Sequence, residues 1–463
     1  MIQDRFLLVS LNIDAVLQEI TVRQRKRKLD EMIQGNGLRD AYSATLVRIK
    51  AQKGGMSRLG MEALMWLSHS KRPLNVHELC DALGVEIGST DLDPQNIPAI
   101  ETLLGCTLGL ATLEESSHIV RLVHYTLQEY LSENYDLFQS PHSAIAEVCL
   151  TYLNFQCIRD LSLTDDWLRQ PTPLLEYASC YWGAHTSGGI TASVNTLALR
   201  LLDRFDKHVS SVILLTRSGD NRGRVLGPSN PAGFTGLHGC AYLGITEIAV
   251  CLLNMKEWDL GATDVARNTA ILWAAKRGHG AIVKTFLERV GITPNDTDQT
   301  GRTPLSWVAG NGYQGVVKIL LGHGDVTPNT ADEGGRTPLL WAAINGYGGI
   351  VEMLLERLGV TRNTADQTGR TPLSWAAGNG CESVVKILLE KGDVTPNTTD
   401  ESGRAPLSWA AGNGHGGSGD RGCNSRYSGS RRSNTSLVGS REWECGGPGN
   451  SFGTGGCKPQ HCG

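Results

Sequence analysis

The sequence predicts a mainly α-helical protein in two parts: a set of amphipathic helices with one short β-hairpin, then a solenoid of stacked helix pairs. Three observations predict it. A 34-residue phrase recurs through the second half, marked by Thr235, Thr269, Thr303, Thr337, Thr371 and Ala405 at one spacing. Its clearest copies read GRTPLSWVAGNGYQGVVKILL (Gly301–Leu321) and GRTPLSWAAGNGCESVVKILLE (Gly369–Glu390). A fixed period of this length means one supersecondary unit, stacked so that each copy buries its apolar face on its neighbours. Upstream of it, apolar residues keep helical spacing, and only one place offers paired β-like runs.

Residues 1–55 read as helical. Phe6, Leu7, Leu11, Ile13, Val16, Leu17 and Ile20 fall on one helix face, and a second amphipathic stretch runs from Leu38 to Lys50. Between them, Arg23, Arg25, Lys26, Arg27 and Lys28 form a basic cluster, read either as a solvated helix face beside Asp30 and Glu31 or as a nuclear-targeting or nucleic-acid patch.

Residues 56–138 form the next unit. Met61, Leu64, Met65 and Leu67 make a helical stripe, and Pro73 ends it. Asn75 with Glu78 three residues on is a capping-box pattern, opening a helix that turns Val76, Leu79, Leu83 and Val85 inward. A third helix follows Pro98, through Ile100, Leu103 and Leu104. Leu108–Leu113 and His118–Leu122 read as strands joined by the turn Glu114–Ser117, and Tyr125–Leu131 as a closing helix. Three helices followed by a two-stranded wing is the winged-helix order. Residues 139–216 are a helical connector, 217–232 a linker rich in Gly, Ser, Asn and Pro, and 233–414 the repeats, five near complete and a partial sixth.

The last segment, 415–463, is dominated by Gly, Ser and Arg with almost no aliphatic residues, a composition that cannot offset its ordering entropy. Where the repeat demands Val-Val, the chain has Ser418-Gly419-Asp420. Codons of the form AGT-GGT-GAT read Val-Val one frame over, so a frameshifted, non-functional fragment is one alternative.

Composition narrows the class. At 463 residues the chain exceeds a single core, and a net charge of -4 gives no global pull toward nucleic acid or anionic lipid. The 12 cysteines include no CxxC pair, and those before the tail are scattered singly in apolar patterns, as reduced core thiols are. No apolar run approaches the ~18 residues of a membrane span. An intracellular, cytoplasmic setting is expected, with a nuclear address left open by the basic cluster. The sequons at Asn295, Asn397 and Asn434 then carry no glycan.

The 34-residue unit resembles the ankyrin repeat. The residues that carry the match are Gly301, Thr303, Pro304, Leu305, Ala309, Gly312, Val316, Val317, Ile319 and Leu320, with Gly335, Gly369 and Gly403 standing where Gly301 does. The histidine that usually follows Pro-Leu survives only as His238, and Leu272, Ser306, Leu340, Ser374 and Ser408 replace it elsewhere. The next position holds Trp273, Trp307, Trp341, Trp375 and Trp409, a ladder expected to be inter-repeat core.

The upstream region resembles the segment after the nucleotide-binding NACHT module of fungal STAND-type (NLR-like) proteins, through WLSHSKRPLNVHELCDAL (Trp66–Leu83), VHYTLQEYL (Val123–Leu131) and LLEYASCYWGAH (Leu174–His185). That resemblance makes 1–55 the end of a NACHT-like module and the winged helix an intramolecular regulator. The chain is similar to the C-terminal half of that architecture only, because it holds no GxxxxGK[ST] phosphate loop. The nearest lookalike, Gly278-His279-Gly280 with Lys284-Thr285, has Val283 in place of the second glycine and falls in a repeat helix.

Other chemistry is thin. His77-Glu78 begins HExxH but meets Asp81, and Ser418 between Gly417 and Gly419 fails as a nucleophile elbow at Asp420. His124 falls in a helix-packing stretch. Cys423, Cys445, Cys457, Cys462 and His461 match no zinc spacing. No catalytic, cofactor-binding or metal-binding residue is assigned, and the chain is not expected to be an enzyme.

The expected function is non-catalytic protein recognition, as the ankyrin arm of an NLR-like signalling protein. Its partner would be a protein on the ankyrin concave face, or a NACHT/STAND NTPase region in cis or in trans, with no membrane. The candidate contact residues are two ladders in register, Asp264, Asp298, Asp332, Asp366 and Asp400 with Arg302, Arg336, Arg370 and Arg404. The bland reading is that these side chains satisfy the turns and each other. A rival from another class is a DNA-associated regulator using the winged helix and Arg23–Lys28.

Overall fold

The computed structural model describes residues 20–27, 38–163, 171–217, 230–255, 258–391 and 393–414. The amphipathic run before Ile20, Lys28, most of the linker, the break at Ser418, Asn434, the tail cysteines and His461 lie outside the described residues.

Helix α1 (Leu38–Lys50) packs Ala41, Tyr42, Leu46 and Ile49 against Leu64 of α2 (Met56–His69) and against Leu110, Leu127 and Leu131. Pro73 cannot continue a helix, so α2 stops before it. Strand β1 (Leu74–Asn75) then leads into α3 (Val76–Gly84). The capping box is present. The Glu78 backbone N–H donates to Asn75 Oδ1 at 2.9 Å, and the Asn75 N–H donates to Glu78 Oε2 at 2.9 Å. Arg72 reaches the same carboxylate in a fork at 2.6 and 2.9 Å, which is why a buried glutamate is tolerated there. The stripe of α3 is rotated from the sequence expectation: Leu79, Cys80 and Ala82 are buried, whereas Val76, Leu83 and Val85 are half-buried at its edge.

Helix α4 (Ile100–Cys106) precedes the hairpin of β2 (Ala111–Glu114) and β3 (Ile119–Leu122), and α5 (Tyr125–Glu133) closes the unit. His124 is the N-cap of α5, its side chain accepting from Thr126 N–H. The three strands lie in the order β1-β3-β2, all antiparallel, with Leu74 opposite Val120 and Ala111 opposite Leu122. Strand β1 was not expected. Two residues are too short to show a period of two, and only the partner strand makes them a strand.

The connector comprises α6 (Pro141–Leu153), the single turn α7 (Gln156–Arg159), α8 (Leu175–Tyr181), α9 (Ala192–Leu202) and α10 (Val209–Arg217). Its buried Tyr177 and Trp182 join one apolar core that runs from Trp66 of α2 through Leu202 and Phe205 to Phe234 and the repeats.

The repeats follow as helix pairs: α11 (Gly236–Leu243) with α12 (Thr246–Met255), α13 (Ala270–Arg277) with α14 (Gly280–Leu287), and α15 (Pro304–Asn311) with α16 (Gln314–Leu321). Next come α17 (Pro338–Ile344) with α18 (Gly348–Glu356) and α19 (Pro372–Gly378) with α20 (Glu382–Glu390), and then α21 (Pro406–Gly412), the last described helix. Each first helix opens on a side-chain cap where the sequence allows one. Thr269, Thr303, Thr337 and Thr371 accept from the N–H three residues on, and proline follows at the first turn from Thr303 onward. Ala405 has no hydroxyl, and α21 starts without a side-chain cap. The glycine that ends α15 shows why this position repeats. Gly312 sits at φ +83°, and a Cβ there would lie 2.7 Å from the ring of Tyr347 in the next repeat.

Candidate interaction surface

The tip between two repeats is built around one aspartate. In the repeat that begins with Asp332, Oδ1 accepts the backbone N–H of Gly334 at 2.9 Å and of Arg336 at 2.9 Å. Its Oδ2 accepts Trp341 Nε1–H at 3.0 Å. The same bond to tryptophan recurs at 2.9 Å in Trp273–Asp264, Trp307–Asp298, Trp375–Asp366 and Trp409–Asp400. A turn donates to a carboxylate whose other oxygen holds an indole, so the aspartate is consumed inside the repeat. Asp264, Asp298, Asp366 and Asp400 are buried, and the Asp332 side chain is nearly so.

The arginine ladder is drawn inward too. Arg302 lies over Trp307 at 4.5 Å and over Trp341 of the next repeat at 3.3 Å, and its Nε is 3.6 Å from Asp332. Arg370 is buried between Trp375 and Trp409, at 3.6 and 3.8 Å from the ring centres. Arg336 lies over Trp341 at 4.9 Å. Arg404 covers Trp409 at 3.9 Å and remains half exposed. The stack alternates guanidinium and indole across the repeat boundaries, worth about 1–2 kcal/mol per desolvated contact. Trp273, Trp341 and Trp375 are buried within it.

Burial lowers the Arg302 guanidinium to about 10, against the pull of Asp332 and Asp298, so it stays charged near neutrality. Two repeats depart. Phe234 and Asn268 stand where the others carry arginine, and in the second of them Lys276 from α13 takes the guanidinium's place. Its Nζ sits 4.5 Å from the Trp307 ring centre and 2.9 Å from Asp298, and it donates to Asn268 Oδ1. Burial would raise the Asp298 carboxyl; Lys276 and the Thr300 hydrogen bonds outweigh that and hold it below its usual range. Nothing in the spacing announces this exchange.

Two asparagine ladders also escaped the sequence reading, although both repeat every 34 residues. Asn295, Asn329 and Asn363 donate to the backbone carbonyls of Asp325, Gly359 and Asp393 in the following repeats, at 2.6–2.7 Å. Each accepts a threonine N–H from the same loop. Asn345, Asn379 and Asn413 donate to the carbonyls of Gly310, Ile344 and Gly378 in the preceding repeats, at 2.6–2.8 Å. In place of the missing histidines, the Thr303 and Ser306 hydroxyls share a bond at 3.1 Å, as do Thr371 and Ser374. His238 Nε2 meets the Asn268 carbonyl of the next repeat at 3.1 Å.

These contacts close the first helices. All seven residues of α17 and of α19 are buried. What remains open along this edge is the row of tips, joined by one backbone bond per boundary: Gln299 N–H to Ala266, Glu333 to Thr300, Gln367 to Gly334 and Glu401 to Thr368, at 2.9–3.2 Å. Gln299, Glu333, Gln367 and Glu401 are exposed at one position in each.

The description Ankyrin repeats (3 copies) matches residues 289–366 and 358–417. These are ankyrin repeats. Residues 48–145 match the GPI inositol-deacylase, winged helix domain. Among solved structures the chain is similar to the ankyrin repeat protein EF0377, at 24% identity over 39% of this chain and 92% of that one, with a TM-score of 0.37. It is also similar to an ankyrin repeat domain (ABAYE2397) from Acinetobacter baumannii AYE, at 27% identity over 39% and 91%, with a TM-score of 0.36. No curated protein matches.

Two elements of the winged helix offer little positive charge. Its third helix, α4, exposes Glu101 and has no lysine or arginine, and on the wing Arg121 is paired with Glu114 at 3.0 Å. Of the basic cluster, Arg23, Lys26 and Arg27 are exposed and Arg25 is half-buried. The lookalike phosphate-loop residues Lys284 and Thr285 lie in α14. Among the described residues no group of three or more His, Cys, Asp or Glu is placed to hold a metal ion, and no helix is long and apolar enough to cross a membrane.

Proposed function

We propose that this chain is a non-catalytic protein-recognition module in which the ankyrin tips, and not the first-helix face, meet the partner. The observation that carries this reading is the continuous tip row beside first helices of which two, α17 and α19, are buried along their whole length. The ladder of Asp264, Asp298, Asp332 and Asp366 with Arg302, Arg336 and Arg370 then acts from within, fixing the tips in register, while Asp400 and Arg404 close its last step. Gln299, Glu333, Gln367 and Glu401, spaced once per repeat, suit an extended partner segment rich in amide donors and basic side chains. The assignment to an NLR-like signalling protein rests on the pairing of a GPI inositol-deacylase-type winged helix with ankyrin repeats in one chain. In that setting the partner is a NACHT/STAND NTPase region, and the site of action is cytoplasmic.

The test compares captured partners of the full chain with those of Glu333→Lys/Glu401→Lys. Loss of a specific protein, with circular dichroism unchanged, supports the tip row. Retention of every partner by the reversed tips removes it. The DNA-associated alternative is checked by anisotropy of a duplex against the full chain at rising salt, where a flat response is expected and a steep loss of binding would revive the rival.

A further inference from the structure

The winged-helix unit meets the connector along α6 and α8, and the two ends of that seam are built from opposite chemistry. At one end the ring of His69, the last residue of α2, stands edge-on to His142 in the first turn of α6, with ring centres 5.4 Å apart. His142 Nδ1 lies 2.9 Å from Nδ1 of His185, which follows α8 in a 3-10 turn (Gly183–Gly188). His185 Nε2 in turn lies 2.9 Å from the Tyr177 hydroxyl. That hydroxyl accepts the Lys71 backbone N–H at 3.0 Å, so the chain of contacts leaves the winged-helix unit at His69 and returns to it at Lys71. At the other end, Asp81 of α3 accepts from Tyr152 in the last turn of α6 and from the backbone N–H of Leu174, just before α8. Just beyond Tyr152 in the chain, the Gln156 N–H donates to the Thr90 carbonyl at 3.0 Å and the Cys157 N–H to Asp91 Oδ1 at 2.9 Å. At ~1.5 Å per residue, His142 and Tyr152 stand ~15 Å apart along α6.

The two ends answer a proton in opposite senses. Two Nδ1 atoms 2.9 Å apart hold one hydrogen between them, so His142 and His185 cannot both be charged and stay in place. The charges that act on the three rings are Lys71 and the rings themselves. The nearby carboxylates are engaged elsewhere: Glu78 and Glu176 face Arg72, and Glu147 accepts from Ser193. Burial, reinforced by these cations, holds all three histidines below the ordinary 6.5, so the closed contact loses stability as pH falls through that value. Burial raises Asp81 from 3.8 to about 6, against the pull of Leu174, His77 and Tyr152, so its contact gains as pH falls through that interval. His208 also titrates, but its bond to the Leu153 carbonyl at 2.9 Å lies within the connector. We propose that this seam is an acid-opened hinge: protons on the histidine end part His69 and Lys71 from His142, His185 and Tyr177, and the winged helix swings about the Asp81 end, which holds. The device couples proton concentration to the placement of the winged helix against a connector whose core is continuous with the repeats.

Amide exchange of the full chain, read peptide by peptide at about pH 7.5 and about pH 5.5 and corrected for the intrinsic rate, tests both ends. Each histidine that takes up a proton on opening multiplies the opening constant by about ten across this interval. Protection at Lys71 should therefore fall about tenfold or more, while Gln156, Cys157 and residues 335–378 keep theirs. His142→Gln, at a half-buried position, removes one titrating ring and should shrink the fall, with circular dichroism at about pH 7.5 checking that the variant is folded. If it is not folded, the wild-type comparison of the two ends decides. Constant protection at Lys71 overturns the proposal. So does equal loss at Gln156 and Cys157, which would mean that the two units part completely, and so does a fall undiminished in folded His142→Gln. Loss shared by 335–378 also overturns it, since the chain would then be unfolding as a whole.

Discussion

Each interior aspartate of the solenoid carries three or more bonds, Asp332 three and Asp298 and Asp366 four each, so its value to the fold should be measurable one bond at a time. Trp341→Phe keeps an aromatic ring in the stack, removes the donor to Asp332 and gives up part of the buried indole surface. It is expected to cost about 2–4 kcal/mol in urea unfolding, because a nearly buried carboxylate oxygen loses its partner and a small void is left. Trp409→Phe at the open end, where the indole is half-buried, should cost less. Equal costs would mean that the indole bond does not hold the tip.

Titration is also a residue-scale property. Burial depresses His185 to about 3, with His142, Lys71 and His69 adding to it, and depresses His208 to about 4. Unfolded chains bind these protons near the ordinary 6.5, so the folded state loses stability as pH falls below that value. Asp81 works in the opposite sense: burial raises it from 3.8 to about 6, so the folded state holds its proton across that interval and gains as pH falls through it. The melting temperature should drop from pH 7 toward pH 5, and Asp81→Asn should steepen the drop between about pH 6 and pH 4. A pH-independent melt would contradict the neutral, buried histidines at the joint, where His185 lies 2.9 Å from both His142 and Tyr177.

At the scale of elements, the exchange of Arg for Lys276 makes a paired prediction. A Cβ on Gly378 would lie 2.6 Å from Arg370 Nη2, so a side chain at this position must shift the guanidinium from its place between Trp375 and Trp409, as Arg336 beside Ile344 is set farther from its ring, at 4.9 Å. The repeat of α13 resolves the conflict with Asn268 and Lys276. Gly378→Lys alone should destabilise by about 1–3 kcal/mol through overpacking. Adding Arg370→Asn should recover part of the loss, giving a coupling of about 1 kcal/mol in a double-mutant cycle. Additive effects would show that the two positions do not share one site.

Much of this scale was legible in the sequence. The first-helix starts, the capping box at Asn75 and the hairpin before Tyr125 all follow from local chemistry that acts within four residues. The two-residue strand β1 and the rotation of α3 were not, since both depend on what packs across from them.

For the whole molecule, capping is asymmetric: the connector closes one end of the solenoid and leaves α20 and α21 half covered at the other. In dilute solution, amide exchange should therefore be faster in residues 400–414 than in 335–378, measured on the same sample. Uniform protection along the array would remove the end as a distinct element.

The period of 34 residues determined by itself that this protein stacks helix pairs, because a pattern of caps, glycines and apolar positions at fixed spacing has one way to bury its surface. It also placed aspartate and arginine in register. The direction those side chains face was decided only by the tertiary structure. An aspartate in a turn can serve solvent or an indole nine residues on, and spacing is the same in both cases. Packing chose the indole, since the adjacent repeat supplies the guanidinium that makes a buried carboxylate tolerable.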